Sequence, residues 1–216
     1  MSQTEPTSAT TGGSPRVVAG TVPYAWPWDG HLAGGRLALV CAGSDPTWRR
    51  AAPLDDLARR RLASATASVR AAGGIVVHVS HAAPSRPGPF LGSVPSDPDG
   101  GADPGDPVDP RDHAVVAAGV DGFYGSPLDT LLRSAGRDQL VLAGWGLEGP
   151  VHSTMRTAND QGYECLLLTD AVGAGSTATG DPALSIVTMS GGIFGALGST
   201  DALCAALAPL TTAPDP

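Results

Sequence analysis

Hydrophobic residues in this chain fall into short blocks, separated by polar, glycine-rich and proline-rich stretches, and two kinds of block alternate. Leu37-Ala38-Leu39-Val40-Cys41 is an unbroken apolar run, the mark of a strand buried on both faces. Ile75-Val76-Val77-His78-Val79, the short His113–Val116, Gln139–Ala143 and Glu164–Thr169 read as further strands. Between them the spacing turns helical. Over 54–71, Leu54, Leu57, Leu62, Ala65 and Val69 share one face, and Asp55 and Asp56 occupy the first turn, where the helix dipole favours them. Asp55/Arg59 and Asp56/Arg60 are i,i+4 pairs, worth roughly a few tenths of a kcal/mol each. Ser126-Pro127-Leu128-Asp129 predicts a helix start, with Ser126 as N-cap, Pro127 first in the helix, Asp129 reaching back, and Leu128, Leu131 and Leu132 buried. Further helices are predicted over 150–161, over Pro182–Met189 with Asp181 as cap, and over Ala202–Leu207, with a tight turn at Gly191–Gly195. Strands alternating with helices imply an α/β fold: a parallel sheet with helices on both faces.

The ends and one internal stretch depart from this pattern. Residues 1–16 are rich in Ser, Thr and Pro and are expected to be a disordered tail, with 210–216 a second tail. The span 17–209 is expected to form one domain. Within it, 83–112 is an acidic loop in which Asp97, Asp99, Asp103, Asp106 and Asp109 alternate with Pro and Gly, which discourages regular structure. Tyr24-Ala25-Trp26-Pro27-Trp28-Asp29-Gly30 is expected to lie as an aromatic arm over apolar surface.

Composition narrows the possible partners. A formal charge of −8 and a pI near 4.9 argue against nucleic acid or an anionic membrane as a partner. No apolar run approaches the roughly 20 residues needed to span a bilayer. Residues 1–16 lack the charged-then-apolar order of a signal peptide, so a cytoplasmic location is expected. Cys41, Cys165 and Cys204 are odd in number and far apart, which fits reduced thiols better than a disulfide framework or a zinc site. His78 and His81 stand near the end of the second strand without a third ligand cluster at metal-binding spacing. All thirteen Lys and Arg positions are arginine, so no mechanism can draw on a lysine of this chain.

The stretch from Phe123 to Asp170, FYGSPLDTLLRSAGRDQLVLAGWGLEGPVHSTMRTANDQGYECLLLTD, resembles the isochorismatase-like cysteine hydrolases, and most closely their ureidoacrylate and biuret amidohydrolase branch. Met189-Ser190-Gly191-Gly192-Ile193-Phe194-Gly195 is a second match, and the resemblance spans roughly residues 24–208. It implies a three-layer α/β/α sandwich, a Rossmann-like arrangement with a crevice beyond the carboxyl ends of the strands. It also implies a catalytic trio there. An Asp after the first strand takes the thiol proton, a Lys after the third favours the thiolate, and a Cys after the fourth attacks an amide carbon. At those positions this chain has Ala42, Ala117 (six residues before Phe123) and Pro150. Proline also lacks the N–H that the family uses as an oxyanion donor at this turn.

The resemblance therefore implies a pseudoenzyme: a structural, binding or regulatory subunit, in a homo-oligomer or paired with an active paralogue. The alternative is an active amidohydrolase on a ureido, carbamoyl or other small amide, working through relocated residues such as Asp45, Glu148 or His81, or through residues of a partner chain. No cofactor or metal is expected. Ser44, Asp45, His78, Phe123, Tyr124, Trp145 and Glu148 are the candidate pocket-lining residues, with Trp145 expected to fill part of the crevice or else to offer a stacking surface, and Glu148 to be structural. Strand alternation points Cys41 away from the crevice, Cys165 is expected buried in mid-strand, Cys204 lies on the last helix, and His152 is expected on a helix face. Pro150 suits the first helical position, and a cis Gly149–Pro150 bond stays open.

Overall fold

The computed structural model describes residues 16–82 and 109–210. The expected tails, Arg16 and Leu210 apart, and the acidic stretch 83–108 lie outside the described residues. A six-stranded, wholly parallel sheet has the order β3-β2-β1-β4-β5-β6. Its strands are β1 (Leu37–Ala42), β2 (Ile75–His81), β3 (His113–Ala117), β4 (Gln139–Trp145), β5 (Glu164–Gly173) and β6 (Ala196–Gly198). The helices are α1 (Pro46–Ala51), α2 (Asp56–Ala71), α3 (Leu128–Ser134), α4 (His152–Asp160), α5 (Thr177–Met189) and α6 (Thr200–Leu207). A π-helical turn, Leu147–Val151, leads into α4. No helix among the described residues is long and apolar enough to cross a membrane.

Strand alternation divides the core into two layers. On β1, Ala38, Val40 and Ala42 face one side, where they pack with Leu128 and Leu132 of α3, Val151 of the π-helical turn, Met155 of α4 and Val187 of α5. Leu37, Leu39 and Cys41 face the other, with Leu62, Ala65 and Val69 of α2 and Leu203 and Leu207 of α6. Helices on both faces explain why the strands read as unbroken apolar runs. The aromatic arm covers the second layer. Trp26 is wholly buried there, contributing about 3 kcal/mol of apolar burial, while Trp28 lies outside against Tyr24.

Several local expectations need correction. Leu57 does not share the buried face of α2; it is 54% exposed, and Ala58 packs inward instead. Asp55 caps the helix by accepting from Ala58 N at 2.7 Å, and Asp56 meets Arg59 at 3.6 Å, so the i,i+4 pairs do not form. Ser126 Oγ accepts from Leu128 N, but Asp129 does not reach back; it pairs with Arg133 and the Tyr163 hydroxyl. α5 starts five residues earlier than predicted, so Asp181 and Pro182 lie inside it and Asp181 caps nothing. β6 and α1 were not predicted. The cis peptide bonds among the described residues are Val22–Pro23 and Trp26–Pro27, so Gly149–Pro150 is trans.

Pro150 is not the first residue of an α-helix either, and the reason is its missing N–H. In an α-helical turn Gly146 O would accept from residue 150. Proline has nothing to donate. Gly146 O instead accepts from Gly149 N at 3.0 Å and from Val151 N at 3.2 Å, one residue further on. The skipped donor converts the turn to π geometry. Gly146 makes room for it at φ 78°, where a side chain would be strained and a Cβ would lie 2.7 Å from both Pro150 Cδ and the Trp48 ring.

Candidate functional site

The carboxyl ends of β1, β3 and β4 carry the three positions where the resemblance places chemistry. Ala42 and Ala117 are fully buried and belong to the same apolar layer, facing α3, α4 and α5. Pro150 is buried above β4. None of these side chains can ionise, donate or attack. The backbone does not compensate at the turn, because Val151 N–H is spent on Gly146 O.

Around these positions the sequence candidates separate. Ser44 locks the turn after β1: its N donates to Val79 O at 2.9 Å, its hydroxyl donates to Cys41 O at 2.8 Å, and its own carbonyl accepts from Arg49 Nε. Phe123 is buried in the same layer as Ala42, its ring 5.7 Å from Tyr163. Tyr124 is largely exposed. Glu148 ties the π-helical turn to the start of α5, accepting from Gly175 N at 2.8 Å and from the Thr179 hydroxyl at 2.9 Å. His78 and Trp145 lie on the opposite face of the sheet, in the layer of Cys41 and α2. Trp145 is 4% exposed under the Arg49 guanidinium and does not stand with Phe123. Strand parity carried that signal, since Ala143 and Trp145 share the face of Val141.

One polar pair stands at this edge. Asp45 is the N-cap of α1, where Oδ1 accepts from Trp48 N at 3.2 Å. Its Oδ2 accepts from His81 N at 3.0 Å and lies 3.2 Å from His81 Nδ1. His81 ends β2 directly opposite Ala117 on β3, and its parity matches Val77 and Val79, on the side of Ala42. The two side chains are 11% and 6% exposed. Burial opposes the charged carboxylate, but the hydrogen bonds from the His81 ring and from the Trp48 and His81 amides outweigh it and hold Asp45 below the ordinary carboxylate range. An ionised carboxylate only accepts, so Nδ1 carries the proton, and in the neutral ring Nε2 is a bare acceptor. That Nε2 is buried and has no hydrogen-bond partner among the described residues. A carboxylate-oriented imidazole with an unpartnered Nε2 is an arrangement that general bases share, although here the nitrogen is buried.

His152 and the buried cysteines take no part in this arrangement. His152 packs edge-on to Phe194, and burial, with Arg156 nearby, pushes its pKa down. Burial pushes the Cys41 thiol up to about 12, and Cys165 is raised as well, so neither is a thiolate near neutral pH. No group of His, Cys, Asp and Glu among the described residues has the geometry to hold a metal ion. Sequence reasoning missed Trp48, whose ring lies over Gly146 and Gly149: a Cβ on either would come within 2.8 Å of it. The Asp45-Pro46 pair, a helix-start signal, pointed to the short helix that carries it.

Solved structures with this architecture include a cysteine hydrolase from Pseudomonas syringae pv. phaseolicola, which superposes with a TM-score of 0.69 at 19% identity, over 83% of this chain and 95% of that one. An isochorismatase family protein from Burkholderia thailandensis has a TM-score of 0.66 at 25% identity, over 81% and 96% of the two chains. The nicotinamidase of Staphylococcus aureus has a TM-score of 0.58 at 15% identity, over 76% and 99%. The model of the isochorismatase domain family matches residues 43–201, which include α1 to α5, all the strands after β1, and the positions of Ala117 and Pro150. With that match over most of its length and this sheet order, the chain belongs to the isochorismatase domain family.

Proposed function

We propose that this chain has left cysteine-dependent amide hydrolysis and serves as a binding or regulatory subunit of its family, assembling with itself or with an active paralogue. One observation carries this reading: the turn after β4 offers neither nucleophile nor oxyanion donor. Pro150 supplies no thiol and no N–H, and the next amide, Val151, is already bonded to Gly146 O. Loss of one such donor costs about 100- to 1,000-fold in rate, before the missing thiol is counted. Ala42 and Ala117 add the loss of the proton acceptor and of the cation. The likeness of residues 123–170 to the ureidoacrylate and biuret branch makes a small ureido or carbamoyl compound the ligand class. Purified protein is expected to release no ammonia from biuret or ureidoacrylate, and purification from the native host is expected to recover a second family chain or an oligomer of this one. A solitary monomer that turns over either compound would overturn the proposal.

The Asp45–His81 pair supports a second reading, in which His81 activates water for direct attack without a covalent intermediate. Under it, His81→Gln abolishes turnover and Glu148→Gln, which loosens only the contact to α5, does not. Absence of turnover in the unaltered protein removes this reading and leaves the first.

A further inference from the structure

On the face of the sheet away from Ala42 and Ala117 lies a cavity of about 440 Å³, within the size range of small-molecule sites. It runs along α2, past His78, and is bounded by the 109–112 segment and Trp145. Arg59, Leu62, Thr66 and Arg70 recur at helical spacing, so α2 presents one stripe to it. Leu62 and Trp145 give it an apolar floor.

Its charges do not cancel. Asp112, 1% exposed at the side chain, is fully engaged: Arg70 donates to it twice at 2.7 Å, and His78 Nε2 lies 2.9 Å away. Asp109 is held by Arg111. Arg49 is different. Its Nε donates to Ser44 O, its guanidinium sits 4.0 Å over the Trp145 ring, and no carboxylate among the described residues reaches it. Arg59 has only a 3.6 Å contact with Asp56, which is 85% exposed and therefore well solvated. In a chain of net charge −8, the described residues leave Arg49 and Arg59 at this cavity without a close buried carboxylate. His78 Nδ1 is a further unmet polar atom there, buried and without a partner among the described residues.

We propose that this cavity binds a small organic anion. The anionic head, a carboxylate or a phosphate, pairs with Arg49 and Arg59, whose planar forks suit two-oxygen acceptors. The apolar body lies against Leu62 and the edge of Trp145 that lines the cavity. Stacking on Trp145 fixes the Arg49 fork before the ligand arrives, which lowers the ordering cost of binding. The site shares no side chain with the Asp45–His81 pair and does not depend on whether the family crevice is active.

Calorimetric titration of the full chain with benzoate, benzamide and phenyl phosphate tests this. At least one anion is expected to bind in the millimolar range or tighter, with neutral benzamide weaker by about tenfold or more. A tighter benzoate identifies a carboxylate ligand, and a tighter phenyl phosphate a phosphate ester. Arg49→Gln and, separately, Arg59→Gln are each expected to weaken the anion by about tenfold, whereas Arg133→Gln on α3 leaves it unchanged. Two variants guard against a folding defect in either one. No binding of either anion at about 10 mM, equal binding of benzamide, or full affinity in both arginine variants overturns the proposal.

Discussion

Placing an aspartate at position 42 measures what the end of β1 tolerates. Ala42 is fully buried, its methyl group lies in a layer with Val40, Val79 and Leu142, and the strand beside it is so close that a Cβ on Gly144 would sit 2.3 Å from Ala42 O. The chain has no lysine, and Ala117 stands where the sequence resemblance puts a cation. A carboxylate added here is buried without a cation. That is the state left when one partner of a buried ion pair is deleted, which costs about 3–5 kcal/mol. Ala42→Asp is therefore expected to destabilise by about 3–5 kcal/mol near neutral pH, a drop of about 6–20 °C in Tm for a domain of this size. The sign with pH follows from desolvation. Burial raises the new carboxyl's pKa in the folded state, so the folded chain keeps its proton to higher pH than the unfolded chain. The penalty is fullest above the folded pKa and shrinks as pH falls toward the unfolded value of about 4. Adding Ala117→Lys should return at least about 1 kcal/mol as coupling in a double-mutant cycle. Urea denaturation of the four proteins near neutral pH and at about pH 5 supplies these quantities. A wild-type midpoint for Ala42→Asp near neutral pH would refute the reasoning.

Three further outcomes follow. Asp112→Asn removes the buried negative charge and one of the two oxygens that Arg70 and His78 share, and should cost about 3 kcal/mol, read as a lower urea midpoint, while the double change Asp112→Leu, Arg70→Met should cost less than the single one. In Asp112, as in Asp45, hydrogen bonds outweigh burial and hold the carboxyl below its ordinary value. Their stabilisation is complete above the unfolded pKa of about 4 and is lost as pH falls through the depressed folded values, so acid unfolding should begin below about pH 4 and flatten in Asp112→Asn. Cys204 is partly exposed and should alkylate first with iodoacetamide; Cys41 and Cys165, buried and with raised pKa values, should react only after denaturant is added, as peptide mapping would report.

The layered fold was legible because apolar runs of strand length alternate with helical spacing, and because strand parity is rigid: it pointed Cys41 away from the crevice, and Cys41 lies in the layer of α2. What escaped was too short or depended on tertiary register. Ala196-Leu197-Gly198 is only three residues and becomes a strand by pairing with Leu166–Leu168. The π-helical turn arises from one missing N–H combined with the left-handed backbone of Gly146, and no periodicity announces it. Asp45 and His81 were noticed separately. Their meeting depends on the pairing of β1 with β2 and on a helix of six residues that folds Asp45 back over the strand end. Trp145 was placed in the crevice by its position just past the expected strand. β4 continues through it, so alternation carries the ring to the other face.

The central claim is that no side chain at the carboxyl edge of the sheet forms a covalent intermediate with an amide. Intact-mass spectrometry of the Cys204→Ser protein, incubated with acrylamide and then with biuret, tests it directly. The unaltered mass is predicted throughout, and an adduct that peptide mapping places on any residue at the ends of β1, β2, β3 or β4 would contradict it.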